Sequence, residues 1–285
     1  MPRPGCAPFD LRALAVAALV TLVACGAPGT SAAVAGEPDP EASVCGALRE
    51  PLAFWAFRHG AGKVNAGNVA GIADIERIDF TTRDGRTLGG YRLRAEAASG
   101  YLLVAQGNAT LVDQIAHAMQ YFRRLGVDVY LYDYRGYGLS EGKSRLRAIV
   151  EDYREIIASL NAQPYRRRLL YGMSMGGVIL LNAVGATGDY TALVVDSSPS
   201  RISRYGCPKI YDPVHQLPPD SSRILVIGGG RDRVVPIAQV EELMRIAQSR
   251  GAQVLRHPQL AHPFMDASAD LHQSRFQAVA DFLAR

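Results

Sequence analysis

The chain has 285 residues, of which 48% are apolar and 20% are charged, with a formal net charge of +4. This composition is that of an ordinary globular protein with enough apolar material for one sizeable core. Because the small positive charge is not accompanied by a basic stripe with interleaved aromatic residues, the composition argues against nucleic-acid binding.

The first 24 residues have the pattern of a targeting signal. Arg3 and Arg12 precede the run LRALAVAALVTLVAC, which is too short to span a bilayer well. Residues 22–25, Leu-Val-Ala-Cys, resemble the lipobox of bacterial lipoprotein signal peptides. The resemblance implies that Cys25 is lipidated and becomes the mature N-terminus, and that acyl chains supply the membrane affinity. A signal peptide cut elsewhere and an uncleaved anchor are the alternatives.

After the signal, the sequence divides into a tether and one domain. Residues 26–43 are small, contain proline and include almost no large apolar side chain, which is typical of a tether. We therefore assign 1–24 to a lipoprotein signal peptide, 25–44 to a flexible tether and 45–285 to a single domain. With Cys25 lipidated, Cys45 and Cys207 are the remaining pair of the mature chain, either bridged in an oxidising compartment or left as free thiols.

The domain begins with a predicted helical leader, ALREPLAFWAFRHG. Its Phe54, Trp55 and Phe57 need something to pack on, and we expect the rest of the domain to supply it. Residues 74–82 and 87–95 alternate around a turn and predict a hairpin. Apolar strands then alternate with helical patterns; the strands are at 101–105, 127–134, 167–172, 191–196, 223–229 and 252–257, and the helices at 111–125, 146–160, 175–186, 236–249 and 270–284. This order predicts an α/β domain with a mostly parallel sheet covered on both faces.

The sequence Gly172-Met173-Ser174-Met175-Gly176 falls where a strand ends and a helix starts. In a nucleophile elbow the strand-to-helix turn is so tight that glycine is needed on both sides of the nucleophile. The turn lifts the serine hydroxyl above the sheet, in front of the helix N-terminus. The alternative is a glycine-rich turn in which Ser174 only caps the helix.

From about residue 74 to its end the chain resembles the α/β-hydrolases, in particular the small, cap-poor α/β-hydrolase domain-containing proteins. The resemblance lies in residues 105–109 (Ala-Gln-Gly-Asn-Ala, with Gln106 in place of the group's His), in residues 133–142 (DYRGYGLSEG) and in the elbow at 172–177. It implies an α/β-hydrolase fold with a minimal cap, since the irregular stretch 197–222 is too short for a large one. It also implies a serine hydrolase that needs no metal or cofactor.

In this fold the catalytic residues follow one another as serine, acid and histidine. We therefore predict Ser174 as the nucleophile, Asp232 after the strand 223–229 as the orienting acid, and His262 as the general base. Asp196 is the rival acid, and Asp232 could instead be a carboxylate that caps the helix starting near 236.

His257, which ends the last predicted strand, is the rival base. His257, His262, Asp266 and His272 fit no common metal-ligand spacing, and we predict no metal site. The main-chain N–H groups of Asn108 and Met175 are predicted to form the oxyanion hole.

Together these features predict a serine hydrolase that cleaves an ester or thioester of a small or medium acyl group. The resemblance to lipoproteins places it in the bacterial cell envelope, and Gly26 rather than Asp after Cys25 favours the periplasmic side of the outer membrane. We expect a monomer whose partners are a small-molecule acyl substrate and the membrane. The alternatives are a serine peptidase or acyltransferase with the same triad, and a non-catalytic lipoprotein that uses the fold as a binding module.

The lipidation hypothesis predicts that radiolabelled palmitate is incorporated into the wild-type chain and that incorporation disappears in Cys25→Ala. Gel fluorography after metabolic labelling measures this. Equal labelling of the two chains would refute lipidation at Cys25.

Overall fold

The computed structural model describes residues 39–285, so the predicted signal peptide, Cys25 and most of the predicted tether lie outside the described residues. Within 39–285, no helix combines the length and the apolar character that a membrane crossing requires.

Eight strands form a single sheet: β1 Ile75–Thr81, β2 Thr87–Leu93, β3 Gly100–Ala105, β4 Val127–Tyr132, β5 Arg167–Met173, β6 Ala192–Asp196, β7 Ile224–Gly229 and β8 Gln253–His257. Their order in the sheet is β1-β2-β4-β3-β5-β6-β7-β8. β2 pairs with β1 and with β4 in antiparallel fashion, and every other pair is parallel. The predicted mostly parallel sheet with an N-terminal hairpin is confirmed.

Helices cover both faces of the sheet: α1 Arg49–Ala61, α2 Val112–Met119, α3 Leu146–Asn161, α4 Met175–Leu180, α5 Pro213–Gln216, α6 Ile237–Ser249 and α7 Ala269–Leu283. One apolar cluster joins the sheet to α3, α4 and α6, and a second joins its other face to α2 and α7. The inner strands are buried on both sides because each crossover helix returns over one face, which explains their continuous apolar runs.

Two predicted helices end earlier than expected. The helix predicted over 111–125 becomes a 3₁₀-helix at Gln120–Leu125, and the one over 175–186 becomes a π-helical turn at Leu181–Gly185. Residues 197–222 contain only the short α5 and two 3₁₀ turns, in agreement with a minimal cap.

The leader helix α1 packs through one face only. Glu50, Phe54 and Ala61 are buried, whereas Trp55 and Phe57 are 54% and 43% exposed. The expectation that all three aromatic residues pack against the domain is therefore correct for Phe54 and wrong for the other two. Helical spacing explains this, since Trp55 points about 100° away from Phe54.

α1 crosses the edge of the sheet at which the parallel strands end, here called the carboxyl edge. Before its first turn, a disulfide joins Cys45 to Cys207, in the segment that follows β6. At its last turn, Gln114 Nε2 in α2 donates a hydrogen bond to the Ala61 carbonyl oxygen over 2.8 Å. Since α2 follows β3, α1 connects the segment after β6 with the segment after β3.

The described part of the predicted tether, residues 39–44, contacts the domain. A carboxylate oxygen of Glu41 accepts the Lys143 amide at 2.9 Å and lies 3.4 Å from guanidinium nitrogens of both Arg86 and Arg135. These contacts bring the chain to the carboxyl edge before the disulfide.

The disulfide joins two cysteines that lie 162 positions apart in the sequence and thus closes a long loop. Cross-linking so long a loop restricts the unfolded chain, so the Cys45→Ser/Cys207→Ser variant is expected to lose about 2–5 kcal/mol of unfolding free energy. Urea titration of the oxidised proteins measures the loss. Reduction should lower the wild-type midpoint and leave that of the variant unchanged; equal midpoints before reduction would contradict the prediction.

Candidate active site

The three predicted catalytic residues follow three parallel strands of the same sheet. Ser174 comes directly after β5, Asp232 follows β7, and His262 follows β8. Because parallel strands end at one edge, all three residues belong to the carboxyl edge, where open α/β sheets bind their ligands.

The backbone of Ser174 has the strained geometry of a nucleophile elbow. Its φ is 53° and its ψ is −116°, a conformation that non-glycine residues rarely adopt. A Cβ on Gly172 would lie 2.6 Å from the carbonyl carbon of Gly176, and a Cβ on Gly176 would lie 1.9 Å from the Ala105 oxygen. Glycine is thus required at both positions by close approach of backbone.

The end of β6 and the residues directly after it hold the turn at Ser174 in place. The Ser174 amide donates to the Asp196 carbonyl oxygen over 2.8 Å, and the Ser198 hydroxyl donates to the Ser174 carbonyl oxygen over 2.7 Å. The Ser174 side chain makes no capping hydrogen bond to α4, and the residue is partly exposed. The geometry therefore favours an available hydroxyl over a helix cap.

Asp232 and His262 form a hydrogen-bonded pair. Asp232 Oδ2 lies 2.8 Å from His262 Nδ1, and the two side chains are 0% and 11% exposed. Asp232 Oδ1 accepts the amides of Val234 and Val235, both at 2.8 Å. The carboxylate thus holds the turn before α6 and also orients the imidazole. With Nδ1–H donating to Asp232, a neutral His262 presents Nε2 as a proton acceptor.

The rival acid and the rival base have other contacts. Asp196 is fully buried and accepts hydrogen bonds from Arg275 Nη1 at 2.6 Å and from the Tyr171 hydroxyl at 3.0 Å. His257 Nδ1 accepts the Gln259 amide at 3.2 Å. The geometry therefore favours the Asp232–His262 pair over either rival.

A buried arginine that the sequence did not single out shapes the loop that carries His262. Arg275 is fully buried, and its guanidinium bonds both carboxylate oxygens of Asp266 at 3.0 and 2.9 Å, the Ala261 carbonyl oxygen at 2.5 Å and Asp196 at 2.6 Å. Asp266 also accepts the Ala261 amide at 2.8 Å. Arg275 is therefore a positioning residue for the segment directly before His262.

The pKa of Asp266 reflects this packing. Burial alone would raise it, but the contacts with His272 and Arg275, together with the charge of Arg275, hold it below its ordinary value. Asp266 is thus ionised and paired at neutral pH. Its only role considered from sequence was that of a metal ligand; among residues 39–285, no group of three or more His, Cys, Asp or Glu side chains is arranged to hold a metal.

The predicted oxyanion-hole segments flank Ser174. A Cβ on Gly107 would lie 3.7 Å from the Ser174 Cβ, so the chain after β3 passes beside the serine. Asn108 uses its Oδ1 to accept the Tyr137 hydroxyl and the Ala109 amide. Met175 is the first residue of α4, where an amide has no acceptor within the helix.

Gln106, which replaces the histidine of the resembling group, lies in the interior. It is fully buried, and its side-chain Nε2 donates to the Tyr132 carbonyl oxygen over 3.2 Å. The main-chain carbonyl oxygen of Gln106 accepts the Tyr134 hydroxyl at 2.5 Å. Its Oε1 lacks a hydrogen-bond partner within 39–285. Gln106 therefore connects the loop after β3 to the end of β4 and to the segment that follows it.

Backbone strain is concentrated at the carboxyl edge. Of the six non-glycine residues with positive φ in the described chain, four lie in segments that directly follow β3, β5, β6 and β8: Ala109, Ser174, Ser197 and Phe264. Such strain persists where the surrounding structure fixes the backbone, which is typical of functional sites.

Comparisons with known proteins agree with this architecture. The family model described as "Serine aminopeptidase, S33" matches residues 96–219. The uncharacterized protein YfhR of Salmonella typhi is 27% identical over 243 residues, covering 72% of this chain and 80% of that protein. A monoacylglycerol lipase of Mycolicibacterium smegmatis is 37% identical over 103 residues, which are 34% of this chain and 36% of the lipase.

Among solved structures, the Pyrococcus furiosus esterase Pf2001 superimposes with a TM-score of 0.62 at 15% sequence identity, covering 73% of this chain and 91% of the esterase. The chain therefore has the α/β-hydrolase fold, and the named relatives support a hydrolase.

The Arg275 cluster predicts a large stability loss in Arg275→Met, because two buried carboxylates lose their cation. We expect the free energy of unfolding at pH 7 to fall by about 3–5 kcal/mol. The pKa of Asp266 is lowered in the folded state. The ionised carboxylate therefore stabilises the fold at pH values above its unfolded-state pKa of about 3.9, and this stabilisation is lost as the pH falls below that value. Urea titrations at pH 7, 5 and 3 should thus show a flatter acid dependence in Arg275→Met than in wild type.

Arg285→Met, at the exposed C-terminus, serves as the matched control and should follow the wild type. Parallel acid dependences of Arg275→Met and wild type would contradict the role given to the cluster.

Proposed function

We propose that this protein is a serine hydrolase that cleaves an ester or thioester through an acyl-enzyme intermediate. The observation that carries the proposal is the Asp232–His262 hydrogen bond of 2.8 Å on the sheet edge that also bears the strained Ser174. A nucleophile, a base and an orienting acid are the groups that acyl transfer requires.

In the proposed reaction, the Ser174 hydroxyl oxygen attacks the substrate carbonyl carbon while His262 Nε2 accepts the hydroxyl proton. The main-chain N–H groups of Met175 and Asn108 stabilise the negative charge that develops on the carbonyl oxygen, and one such donor is worth about 2.7–4 kcal/mol in comparable sites. The imidazolium then returns the proton to the leaving oxygen or sulfur as that bond breaks. Asp232 keeps the imidazole in the required tautomer and stabilises the imidazolium.

Water completes the cycle. The oxygen of a water molecule attacks the acyl carbon while His262 accepts a proton from that water. The proton then passes to the Ser174 oxygen as the bond between this oxygen and the acyl carbon breaks. The cycle uses only groups of the protein itself and water, so the proposal includes no metal and no cofactor.

Ester or thioester cleavage is favoured because two similar proteins are named as an esterase and a monoacylglycerol lipase. The family model is described as a serine aminopeptidase, and aminopeptidase activity is therefore the second candidate. A panel of acyl esters and thioesters of increasing chain length, run beside aminoacyl anilides, separates the two: faster turnover of the anilides would replace esterase by peptidase activity.

We further propose that the chain is a monomeric lipoprotein of the bacterial cell envelope, anchored through Cys25 on the periplasmic side of the outer membrane. The Cys45–Cys207 disulfide supports an oxidising compartment, because disulfides persist mainly outside the cytosol. The membrane is then a partner through the lipid, and nucleic acid is not.

The triad predicts that a fluorophosphonate probe labels the wild type and fails to label Ser174→Ala. Asp232→Asn should keep the fold and lower kcat by on the order of 10³–10⁴-fold, because the imidazole loses its correct tautomer. In-gel fluorescence and ester turnover measure the two effects.

Ser249→Ala is the control, because Ser249 ends α6 at an exposed position and should label like the wild type. Absence of labelling in folded wild type would favour the non-catalytic binding module, and labelling of Ser174→Ala would place the nucleophile elsewhere.

A further inference from the structure

The exposed apolar side chains are concentrated on one part of the surface. The described residues expose eight large apolar side chains, all of them in or beside α1 or in the segments that follow β6, β7 and β8: Leu48, Leu52, Trp55, Phe57, Tyr205, Ile210, Val234 and Met265. Every one of these segments lies at the carboxyl edge. We call these eight residues the apolar face; large apolar side chains exposed together at one edge of a domain are a feature of interaction surfaces.

The apolar face is ordered on α1. Leu48, Leu52 and Trp55 are spaced by four and three residues and are 79%, 53% and 54% exposed. They form one stripe along the helix, opposite the buried stripe of Glu50, Phe54 and Ala61. α1 therefore has a second apolar stripe for which the domain supplies no cover.

The two halves of the apolar face are joined. The disulfide links Cys45, just before Leu48, to Cys207, between Tyr205 and Ile210. Arg49 Nη1 adds a hydrogen bond of 3.3 Å to the Tyr205 carbonyl oxygen. Val234 and Met265 follow Asp232 and His262 by two and three residues, so the face also borders the loops of the proposed acid and base.

The exposed charges beside the α1 and Cys207 parts of the face are positive. Residues 45–73 and 203–211 contain a single acid, Glu50, which is buried and accepts amides of Val44, Cys45 and Leu146. The exposed charged residues of the same two segments are all basic: Arg49, Arg58, Lys63, Arg204 and Lys209. Tryptophan and leucine side chains bordered by basic residues are the kinds of side chain that bind the interface of an anionic membrane.

The length of the N-terminal chain is compatible with this occupant. Asp39, the first described residue, lies 14 positions after Cys25, and a fully extended chain of that length reaches roughly 50 Å at most. A lipid on Cys25 would therefore keep the end of the domain that bears the apolar face within reach of the bilayer.

We propose that the apolar face docks the domain onto the surface of an anionic phospholipid bilayer, with α1 in the interface and the carboxyl edge turned toward the lipid. The substrate would then be an acyl ester taken from the bilayer. The docking stands independently, whereas the substrate part rests on the proposed function.

Trp55 is the single tryptophan of the chain and reports directly on this contact. The full chain is reconstituted into vesicles of phosphatidylcholine and phosphatidylglycerol, with and without bromine on the acyl chains. We expect blue-shifted Trp55 emission that brominated lipid quenches. Leu52→Asp should lower the quenching constant about tenfold, because a leucine that enters lipid contributes a large part of such binding.

Ala284→Asp is the matched control, since it adds the same charge at the opposite edge of the sheet. That position follows Leu283, whose carbonyl oxygen accepts Arg167 at the start of β5 over 2.7 Å. Brominated lipid should quench the Trp55 emission of Ala284→Asp as it does that of the wild type, and the same is expected of Ser174→Ala.

Unquenched Trp55 in vesicle-bound protein would overturn the docking proposal. Unquenched and red-shifted emission would mean that the face stays in water. Unquenched but blue-shifted emission would mean another occupant: a second copy where the shift depends on the protein-to-lipid ratio, and residues 1–38 where it does not.

Turnover separates docking from catalysis. The ratio of turnover on a long-chain ester in vesicles to turnover on a water-soluble short ester should fall about tenfold in Leu52→Asp and stay unchanged in Ala284→Asp. Cleavage of the soluble ester without Trp55 quenching would overturn docking alone. Quenching without cleavage of either ester by the folded wild type would overturn the proposed function alone.

Discussion

The turn between β5 and α4 passes so close to the end of β3 that no side chain fits between them. A Cβ on Gly176 would come within 1.9 Å of the Ala105 oxygen, and one on Gly177 within 2.1 Å of the Ser198 hydroxyl. Ser174, with its positive φ, lies in this turn, and the chain at Gly107 passes beside it. One packing constraint therefore both presents the serine and brings the predicted oxyanion segment to it. Strain at a single residue costs on the order of 1–3 kcal/mol and persists only because the surrounding core is rigid.

The proposed acid and base depend on the same sheet, but their local support is electrostatic. Asp232 is held by two amides and the imidazole, whereas the loop before His262 is held by Arg275 through Asp266 and the Ala261 carbonyl oxygen. Arg275 belongs to α7, the last helix of the chain, and also bonds Asp196 at the end of β6. A residue of α7 thus fixes the geometry of the loop between β8 and α7. Buried charges of this kind add little net stability but are costly to break singly, so they specify one arrangement of the loop.

Much of the architecture was predictable because its signals are local. The apolar runs gave the strands, the hairpin turn gave the antiparallel start, and glycines around Ser174 marked the elbow, since each pattern reflects constraints within a few residues. Arg275 could not be identified in this way, because an arginine in an amphipathic helix normally faces solvent and its partners Asp196 and Asp266 are distant in sequence. Likewise, the sequence left the state of Cys45 and Cys207 open, because pairing depends on where α1 crosses the sheet. The exposure of Trp55 was mispredicted since apolar residues on both sides of α1 suggest burial all round.

Folding gives no reason for the open stripe of α1 to be apolar. The area that a side chain leaves in water contributes no burial free energy, so the exposed parts of Leu48, Leu52 and Trp55 do not stabilise the folded domain. A polar residue at each position would serve the helix equally well, because intrinsic helix propensities of ordinary residues differ by at most about 0.7 kcal/mol. Phe54 on the opposite side already supplies the packing that holds α1 to the core. The apolar stripe is therefore better explained by contact with something outside the domain, and its basic border favours an anionic surface.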